Sequence, residues 1–353
     1  MNLLNAKRML ATALGVVVFA AAAQAADISG AGATFPYPLY SKWADTYKQQ
    51  TGVGLNYQSI GSGGGIKQIK AKTVTFGASD MPLKPDELAQ AGLVQFPMII
   101  GGVVPAVNIK GVGAGQLVLD GATVASIYMG EITKWNDPRI AKLNPKLKLP
   151  DLAIAPIYRS DGSGTNFLFS NYLSQESPKF QSSIGANTSV QWPVGIGAKG
   201  NEGVANMTRQ TDGAIGYVEY AYAKQNQMAT ANLVNKAGKT VSPNADSFQA
   251  AASNGDWTHA AGYYLILTDQ PGEKSWPITG ASFILLYGTP PDPAATAAAL
   301  KFFDWAYTNG ATMAADLDYV PLPASLIKQV RGTWTSQIQG AQQALAGDNT
   351  KRM

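Results

Sequence analysis

The sequence predicts an α/β protein of two domains joined by a pair of crossing strands. The chain has 353 residues, and the roughly 330 that follow a predicted export signal are more than one hydrophobic core usually serves. Two long apolar runs, residues 96–109 and 276–287, lie far apart in the chain. Two domains connected by two crossing strands require such runs, so we place the crossings near residues 100 and 278.

The first 25 residues have the features of a secretory signal. Lys7 and Arg8 form a basic start, residues 9–23 are uncharged and apolar, and Ala23-Gln24-Ala25 is a small-x-small cleavage site. We therefore predict cleavage after Ala25 and a freely diffusing periplasmic protein. The chain contains no cysteine, which excludes disulfides and a lipid attached to cysteine.

The charge of the chain gives no sign of a nucleic-acid or anionic-membrane partner. The formal net charge is +4. It falls to +2 in the predicted mature chain, because Lys7 and Arg8 are removed and no acidic residue is removed with them. There is also no basic run of the kind that marks such partners. We therefore expect no nucleic acid among the ligands.

Glycine-rich turns precede two helices in the first part of the chain. The turn at residues 30–36 leads into a helix that Gly52 ends, and a strand at 53–57 leads into Gly61-Ser62-Gly63-Gly64-Gly65, which opens a second helix. Backbone N–H groups at a helix start have no intrahelical partner, and glycine lets an anion approach them closely. Both turns are therefore candidate anion contacts.

A short predicted strand at residues 74–78 ends at Ser79-Asp80. An acidic side chain beside candidate anion contacts is unexpected and needs an explanation. The alternative is that Asp80 caps the helix suggested by Pro85-Asp86-Glu87-Leu88, but the intervening residues place such a cap poorly.

The stretch from Arg159 to Thr165 combines a guanidinium, a carboxylate, hydroxyls and glycines between a predicted strand, 154–158, and a predicted helix, 166–173. The arginine fork can hold two oxygens of one oxyanion, and the helix dipole favours negative charge. The alternative is an ordinary strand-to-helix turn with a serine or threonine cap and a surface pair between Arg159 and Asp161. This loop alone does not decide between the two.

The remaining elements complete the alternation of strands and helices. Helices are predicted around 124–129 and over 294–309, a strand-to-helix segment over 213–227, and a last amphipathic stretch over 326–343.

Other motifs do not predict an enzyme. Gly195 to Gly200 fits the dinucleotide pattern G-x-G-x-x-G, but Pro193 is unsuited to the central strand that should precede it. Ser163 lacks the flanking glycines of a nucleophile elbow. His259 is the only histidine and lies in a predicted loop. Without cysteine or a second histidine, most nucleophile–base pairs and zinc sites are excluded, and we expect no metal or cofactor.

Several motifs taken in order resemble the periplasmic phosphate-binding proteins of high-affinity phosphate ABC transporters. The resemblance covers essentially the whole predicted mature chain, and the motifs that carry it are Gly30–Phe35, Trp43–Tyr47, Gly61–Gly65, Phe76–Asp80, Tyr128–Ile132, Arg159–Thr165 and Gly213–Tyr220. It implies a two-lobed periplasmic binding protein of type II-like fold, each lobe a mixed sheet flanked by helices, with the ligand in the cleft between the lobes. Lobe 1 would comprise residues 26–100 and 278–353, and lobe 2 residues 101–277.

The same resemblance implies the function and the site. The protein would be a monomer that binds inorganic phosphate and passes it to the permease and ATPase subunits of the transporter, without catalysis. Asp161 would be the partner of the site arginine. Gly63 stands where the family often has a second serine. The implied phosphate contacts are Ala33, Thr34, Phe35, Ser62, Asp80, Arg159, Ser163, Gly164 and Thr165.

Phosphate offers an explanation for Asp80. Phosphate near neutral pH carries a proton that a carboxylate can accept, whereas sulfate carries none. We therefore hypothesise that Asp80 selects phosphate over sulfate and excludes arsenate poorly. A secreted phosphatase and an extracellular scaffold with the same fold remain alternatives.

Overall fold

A computed structural model describes residues 28–346 of the protein. The predicted export signal and its cleavage after Ala25 lie outside these residues. Among the described helices, none combines the length and the apolar character needed to cross a membrane.

Strands and helices alternate along the described chain. The strands are β1 Ile28–Gly32, β2 Leu55–Ser59, β3 Phe76–Ser79, β4 Leu93–Val107, β5 Val118–Leu119, β6 Ala155–Arg159, β7 Ile196–Ala198, β8 Ala214–Glu219, β9 Ala229–Thr230, β10 Asn232–Val234, β11 Thr240–Val241 and β12 Thr279–Tyr287. The helices are α1 Tyr37–Thr51, α2 Ser62–Lys70, α3 Pro85–Ala91, α4 Gly121–Tyr128, α5 Pro138–Leu143, α6 Gly164–Glu176, α7 Pro178–Ser183, α8 Gly200–Gln210, α9 Tyr220–Gln225, α10 Ala245–Ala252, α11 Pro293–Asn309, α12 Ala311–Ala315, α13 Ala324–Gln337 and α14 Ala341–Ala346.

The main sheet is mixed, with parallel strands at both ends and antiparallel pairs in the middle. Its strand order is β2-β1-β3-β12-β4-β8-β6-β7, and β9 also pairs with β4. Strands β2, β1 and β3 are parallel, and β12 is antiparallel to both β3 and β4. On the other side, β8 is antiparallel to β4, while β6 and β7 follow in parallel. The α/β class predicted from the sequence is confirmed.

Strand β4 connects the two halves of this sheet. It pairs with β12 as far as Gly102 and with β8 from Val103 onward, and all of its residues are buried. Gly101 and Gly102 therefore lie where one continuous strand changes its partner. This change lies close to the crossing predicted near residue 100, and β12 begins next to the crossing predicted near 278. The lobe boundaries remain a prediction.

The sheet brings the glycine-rich turns and Asp80 together. Strands β2, β1 and β3 are parallel neighbours in which Gly32 is opposite both Ser59 and Ala78. The carboxyl ends of these strands therefore meet at one edge, where α1, α2 and the Asp80 segment follow. Gly32 has φ +146°, and a Cβ at this position would lie 2.0 Å from the Ala78 carbonyl oxygen. No side chain fits there, so glycine allows the close approach of the first turn.

Candidate anion-binding site

The nine predicted contact residues are all buried. The first turn, Ala33 to Phe35, is held by tyrosine hydroxyl groups that donate to its three carbonyl oxygens. These bonds fix the turn ahead of α1, whose first N–H groups have no intrahelical partner. The pairs are Tyr57 with Ala33 (2.7 Å), Tyr222 with Thr34 (2.6 Å) and Tyr319 with Phe35 (2.6 Å).

Ser62 joins the second turn to Asp80 and to the loop before α6. Its Oγ accepts the backbone N–H of Asp80 at 3.1 Å and that of Gly164 at 3.0 Å. A hydroxyl has two lone pairs and one hydrogen, and both lone pairs of Ser62 are in use. Ser62 can therefore still donate its hydrogen to a further acceptor. A Cβ at Gly164 would lie 2.5 Å from this oxygen and 2.6 Å from Asp80 Oδ2. Glycine is therefore required for the loops to approach this closely.

Arg159 and Asp161 form a buried fork-to-carboxylate pair. Nε donates to Oδ1 at 2.8 Å and Nη2 to Oδ2 at 2.6 Å, and the arginine side chain is 1% exposed. Burial raises the pKa of Asp161, but the hydrogen bonds and charge of Arg159 outweigh this and lower it overall. The alternative of a surface pair is therefore wrong. Nη1 of Arg159 is buried and has no hydrogen-bond partner among the described residues.

The loop that follows Arg159 also caps α6. Ser163 Oγ accepts the N–H of Asn166 at 3.0 Å, so the serine cap in the alternative interpretation is present. The cap uses one lone pair of the Ser163 hydroxyl, so its hydrogen is still available to donate to a ligand. The loop contacts the second turn, where Gly63 donates its N–H to Gly162 at 2.9 Å. A Cβ at Gly63 would lie only 3.1 Å from the Gly162 Cα, so a serine at this position would require that loop to shift.

Asp80 is a buried carboxylate whose oxygens make no well-formed hydrogen bond in the described part of the chain, although the Ser282 and Ser62 hydroxyls lie close enough to lower its pKa. The residue is 1% exposed, and within residues 28–346 neither carboxylate oxygen is hydrogen-bonded. Burial raises its pKa to about 7, and the Ser282 hydroxyl, the Arg159 charge and the Ser62 hydroxyl only partly oppose this. The alternative that Asp80 caps α3 is wrong, because Lys84 occupies that position. An unpaired buried acid next to donors needs a ligand that brings a proton.

Asn201, at the start of α8, is a residue of the site that the sequence did not identify. It donates hydrogen bonds to the hydroxyls of both Thr34 and Thr165. The sequence signal next to it is the glycine pattern from Gly195 to Gly200, which fits a dinucleotide motif. In the structure β7 occupies residues 196–198, inside that motif, so the glycines do not form the phosphate-binding turn of a Rossmann unit.

The described residues offer no alternative metal centre. Across residues 28–346, no group of three or more His, Asp or Glu side chains is arranged to hold a metal ion. His259 is exposed and pairs with Asp256 at 2.8 Å, as expected for a surface loop.

The chain is similar to known proteins over most of its length. Residues 18–309 match the model of the PBP superfamily domain. The chain is 53% identical over 335 residues to the phosphate-binding protein PstS of Pasteurella multocida (strain Pm70), covering 95% of this chain and 97% of that protein. It is 54% identical over 312 residues to PstS of Xylella fastidiosa (strain 9a5c), covering 88% and 86%.

Solved structures show the same two-lobed periplasmic binding-protein fold. The high-affinity periplasmic phosphate-binding protein PfluDING, solved with phosphate at pH 8.5, superposes with a TM-score of 0.71 at 20% identity, covering 90% of this chain and 98% of that one. The phosphate-binding protein of Stenotrophomonas maltophilia gives 0.66 at 22% identity, covering 87% and 93%. The chain therefore belongs to the PBP superfamily and, within it, to the family of PstS phosphate-binding proteins.

Proposed function

We propose that the protein binds inorganic phosphate with high affinity in the periplasm and delivers it to the permease of a phosphate ABC transporter. One observation carries this proposal: Arg159 Nη1 is a buried donor without an acceptor, and Asp80 is a buried acceptor without a donor, among the residues from 28 to 346. A single ligand satisfies both groups if it has negative oxygens and also carries a proton. Inorganic phosphate near neutral pH has both.

The nine predicted contacts are proposed as the phosphate ligands, with Asp161 in support. Asp161 balances the charge of Arg159 through two hydrogen bonds, so neutral N–H and O–H dipoles supply most of the recognition. Such a balance suits a carrier that must release its anion again. We therefore propose reversible binding without catalysis, by a monomer that passes phosphate to the membrane permease and ATPase subunits after export.

The proposed lobes, residues 26–100 with 278–353 and residues 101–277, meet at this site. Hydrogen bonds join Ser62 to Gly164, Gly63 to Gly162 and Thr34 to Asn201 across that boundary. We therefore propose that phosphate stabilises a closed arrangement of the lobes by contacting both sides. Small-angle scattering should show a smaller radius of gyration with phosphate than without it.

Calorimetry of the mature protein with four ligands tests the function. We expect tight binding of phosphate, comparable binding of arsenate, weak binding of sulfate, and weak binding of a phosphate monoester that is recovered intact. Release of phosphate from the ester would instead indicate the alternative, a secreted phosphatase. Failure to bind inorganic phosphate would overturn the proposal.

A further inference from the structure

The side-chain amide of Asn201 has a fixed orientation. Asn201 is fully buried at the start of α8, and its Oδ1 accepts the backbone N–H of Glu219 at 2.8 Å. A backbone N–H can only donate, so the amide oxygen must face Glu219 and the NH2 group must face the opposite way. The NH2 group therefore faces the hydroxyls of Thr34, at 2.7 Å, and Thr165, at 3.2 Å.

The Thr34 hydroxyl can consequently act only as a hydrogen-bond donor toward any further partner. Its Oγ1 accepts both the Nδ2 group of Asn201 and the backbone N–H of the same residue, the latter at 3.2 Å. A hydroxyl has two lone pairs and one O–H hydrogen. Both lone pairs are thus occupied, and within residues 28–346 the Thr34 hydroxyl donates to no acceptor. Thr34 itself is 2% exposed, so water does not readily replace the missing acceptor.

We infer that Asn201 is a positioning residue that makes the Thr34 hydroxyl an obligate hydrogen-bond donor to the bound anion. The inference rests on the proposed function, because it requires an oxyanion at this site. An obligate donor cannot accept a proton from the ligand, so the phosphate oxygen that faces Thr34 must be unprotonated. Asn201 thereby helps to direct the ligand proton toward Asp80.

The inference also gives a role to closure of the proposed lobes. Thr34 follows β1 in the proposed lobe 1, and Asn201 is the second residue of α8 in the proposed lobe 2, so we expect both hydrogen bonds to Thr34 to form only when the lobes meet. The same amide also donates to the hydroxyl of Thr165, in the first turn of α6. One side chain therefore orients hydroxyl groups on both sides of the proposed cleft.

A double-mutant cycle distinguishes this role from a structural one. Phosphate affinity is measured by calorimetry for the wild type, Asn201→Ala, Thr34→Val and the double variant. We expect each single change to weaken binding about ten-fold or more, the loss of one hydrogen bond to a charged group. The double variant should lose little beyond Thr34→Val alone, because Asn201 acts through the hydroxyl that this change removes. Equal losses for Asn201→Ala in both backgrounds would overturn the inference.

Asn201→Asp adds a readout that a structural role would not change. A carboxylate can still accept the Glu219 N–H, but when ionised it presents an acceptor to Thr34 and draws the hydroxyl hydrogen away from the anion. Phosphate affinity relative to the wild type should therefore fall as pH rises and recover as this carboxylate is protonated. If the ratio of the phosphate affinity of Asn201→Asp to that of the wild type does not change with pH, the inference is contradicted. The cycle also controls for simple charge repulsion, which would persist in the Thr34→Val background.

Matched controls keep the outcome clear. Asn144 is also buried, and its Oδ1 likewise accepts a backbone N–H at 2.8 Å, that of Val118 in the separate sheet of β5, β10 and β11. Asn144→Ala should lower the melting temperature without changing phosphate affinity. If Asn201→Ala does not fold, Thr34→Val still tests the inference: wild-type affinity in this variant rejects it. Failure of the wild type to bind phosphate would instead reject the proposed function.

Discussion

Two arginine–aspartate pairs in this protein have the same chemistry and opposite environments. In both, Nε and Nη2 of the arginine bond the two carboxylate oxygens of an aspartate two residues away. For Arg139 and Asp137 both bonds measure 3.0 Å, and for Arg159 and Asp161 they measure 2.8 and 2.6 Å. The Arg139 side chain is 49% exposed, whereas that of Arg159 is 1% exposed.

Burial, and not pairing, distinguishes the candidate site from the surface pair. Water can satisfy the remaining N–H groups of Arg139, and an exposed pair of this kind contributes about 0 to 1 kcal/mol. The remaining Nη1 of Arg159 is buried and has no acceptor in the described part of the chain. Nearby, Asp80 is buried without a donor. A buried polar group without a hydrogen-bond partner costs free energy. Both Arg159 and Asp80 therefore favour a ligand that forms the missing hydrogen bonds.

The largest expected effect comes from removing the buried arginine. Arg159→Ala should weaken phosphate binding more than about 100-fold, because it removes a buried positive charge with its free Nη1 donor and leaves Asp161 facing the anion. Arg159→Lys should recover only part of the affinity, since an ammonium group cannot make the two parallel bonds to Asp161 and also present the Nη1 donor to the anion. Arg139→Ala, the matched change in the exposed pair, should leave the affinity unchanged. If calorimetry shows that Arg159→Ala and Arg159→Lys bind phosphate as tightly as Arg139→Ala does, Arg159 does not belong to the site.

A smaller loss of phosphate affinity, with a larger change in selectivity, is expected for Asp80→Ala. Phosphate should lose one charged hydrogen bond, about ten-fold in affinity. Sulfate should bind more tightly because its lone pairs no longer face a carboxylate. Sites built around one required hydrogen bond reject ligands that lack it by about 10⁴ to 10⁵, so the phosphate-to-sulfate ratio should fall markedly. Asp80→Asn is a weaker test because its amide oxygen still accepts a proton.

Calorimetric competition between the two anions measures that ratio. A folded Asp80→Ala protein with the wild-type ratio would show that the geometry of the donors sets the selectivity, and that Asp80 does not.

Local sequence predicted the elements of the site well. Glycine-rich turns before helices are local signals, and α1, α2 and α6 begin where such turns predicted them. The sequence could not decide whether Arg159 was buried, because its exposure depends on the loops that cover it. Gly61, for example, comes so close that a Cβ there would lie 2.4 Å from Asp161 Oδ2. That contact joins segments about a hundred residues apart.

Residues that support the site from distant segments were not predicted. Tyr319 donates to the Phe35 carbonyl oxygen and contacts the buried Glu219, and its own sequence context contains no glycine-rich turn. Asn201 is similar, because an asparagine after a glycine is common in loops, and only the tertiary structure brings Thr34 to it. Pairwise contacts across the cleft have no periodicity for a sequence pattern to reveal.

The last prediction uses the two buried aspartates of the site, whose pKa values shift in opposite directions. Asp161 has a donor partner and a lowered pKa, so its contribution to stability is lost only as pH falls below the ordinary range of an aspartate. The pKa of Asp80 rises from 3.8 to about 7. Between these values the unfolded chain releases the proton of Asp80 while the folded protein keeps it, so the free energy of unfolding falls as pH rises.

In the phosphate-free protein, Asp80→Asn should therefore make the free energy of unfolding fall much less as pH rises. Asp80 alone contributes a slope of about 1.4 kcal/mol per pH unit within the window. Part of the decline should persist, because burial also raises the pKa of Glu219 well above its ordinary value. Asp137→Asn, in the exposed pair, should leave the slope above pH about 4 unchanged, since that pKa is lowered. Urea unfolding from pH 4.5 to 8 measures these slopes, and identical pH dependence in the wild type and Asp80→Asn would mean that Asp80 ionises in the folded protein as it does in the unfolded chain.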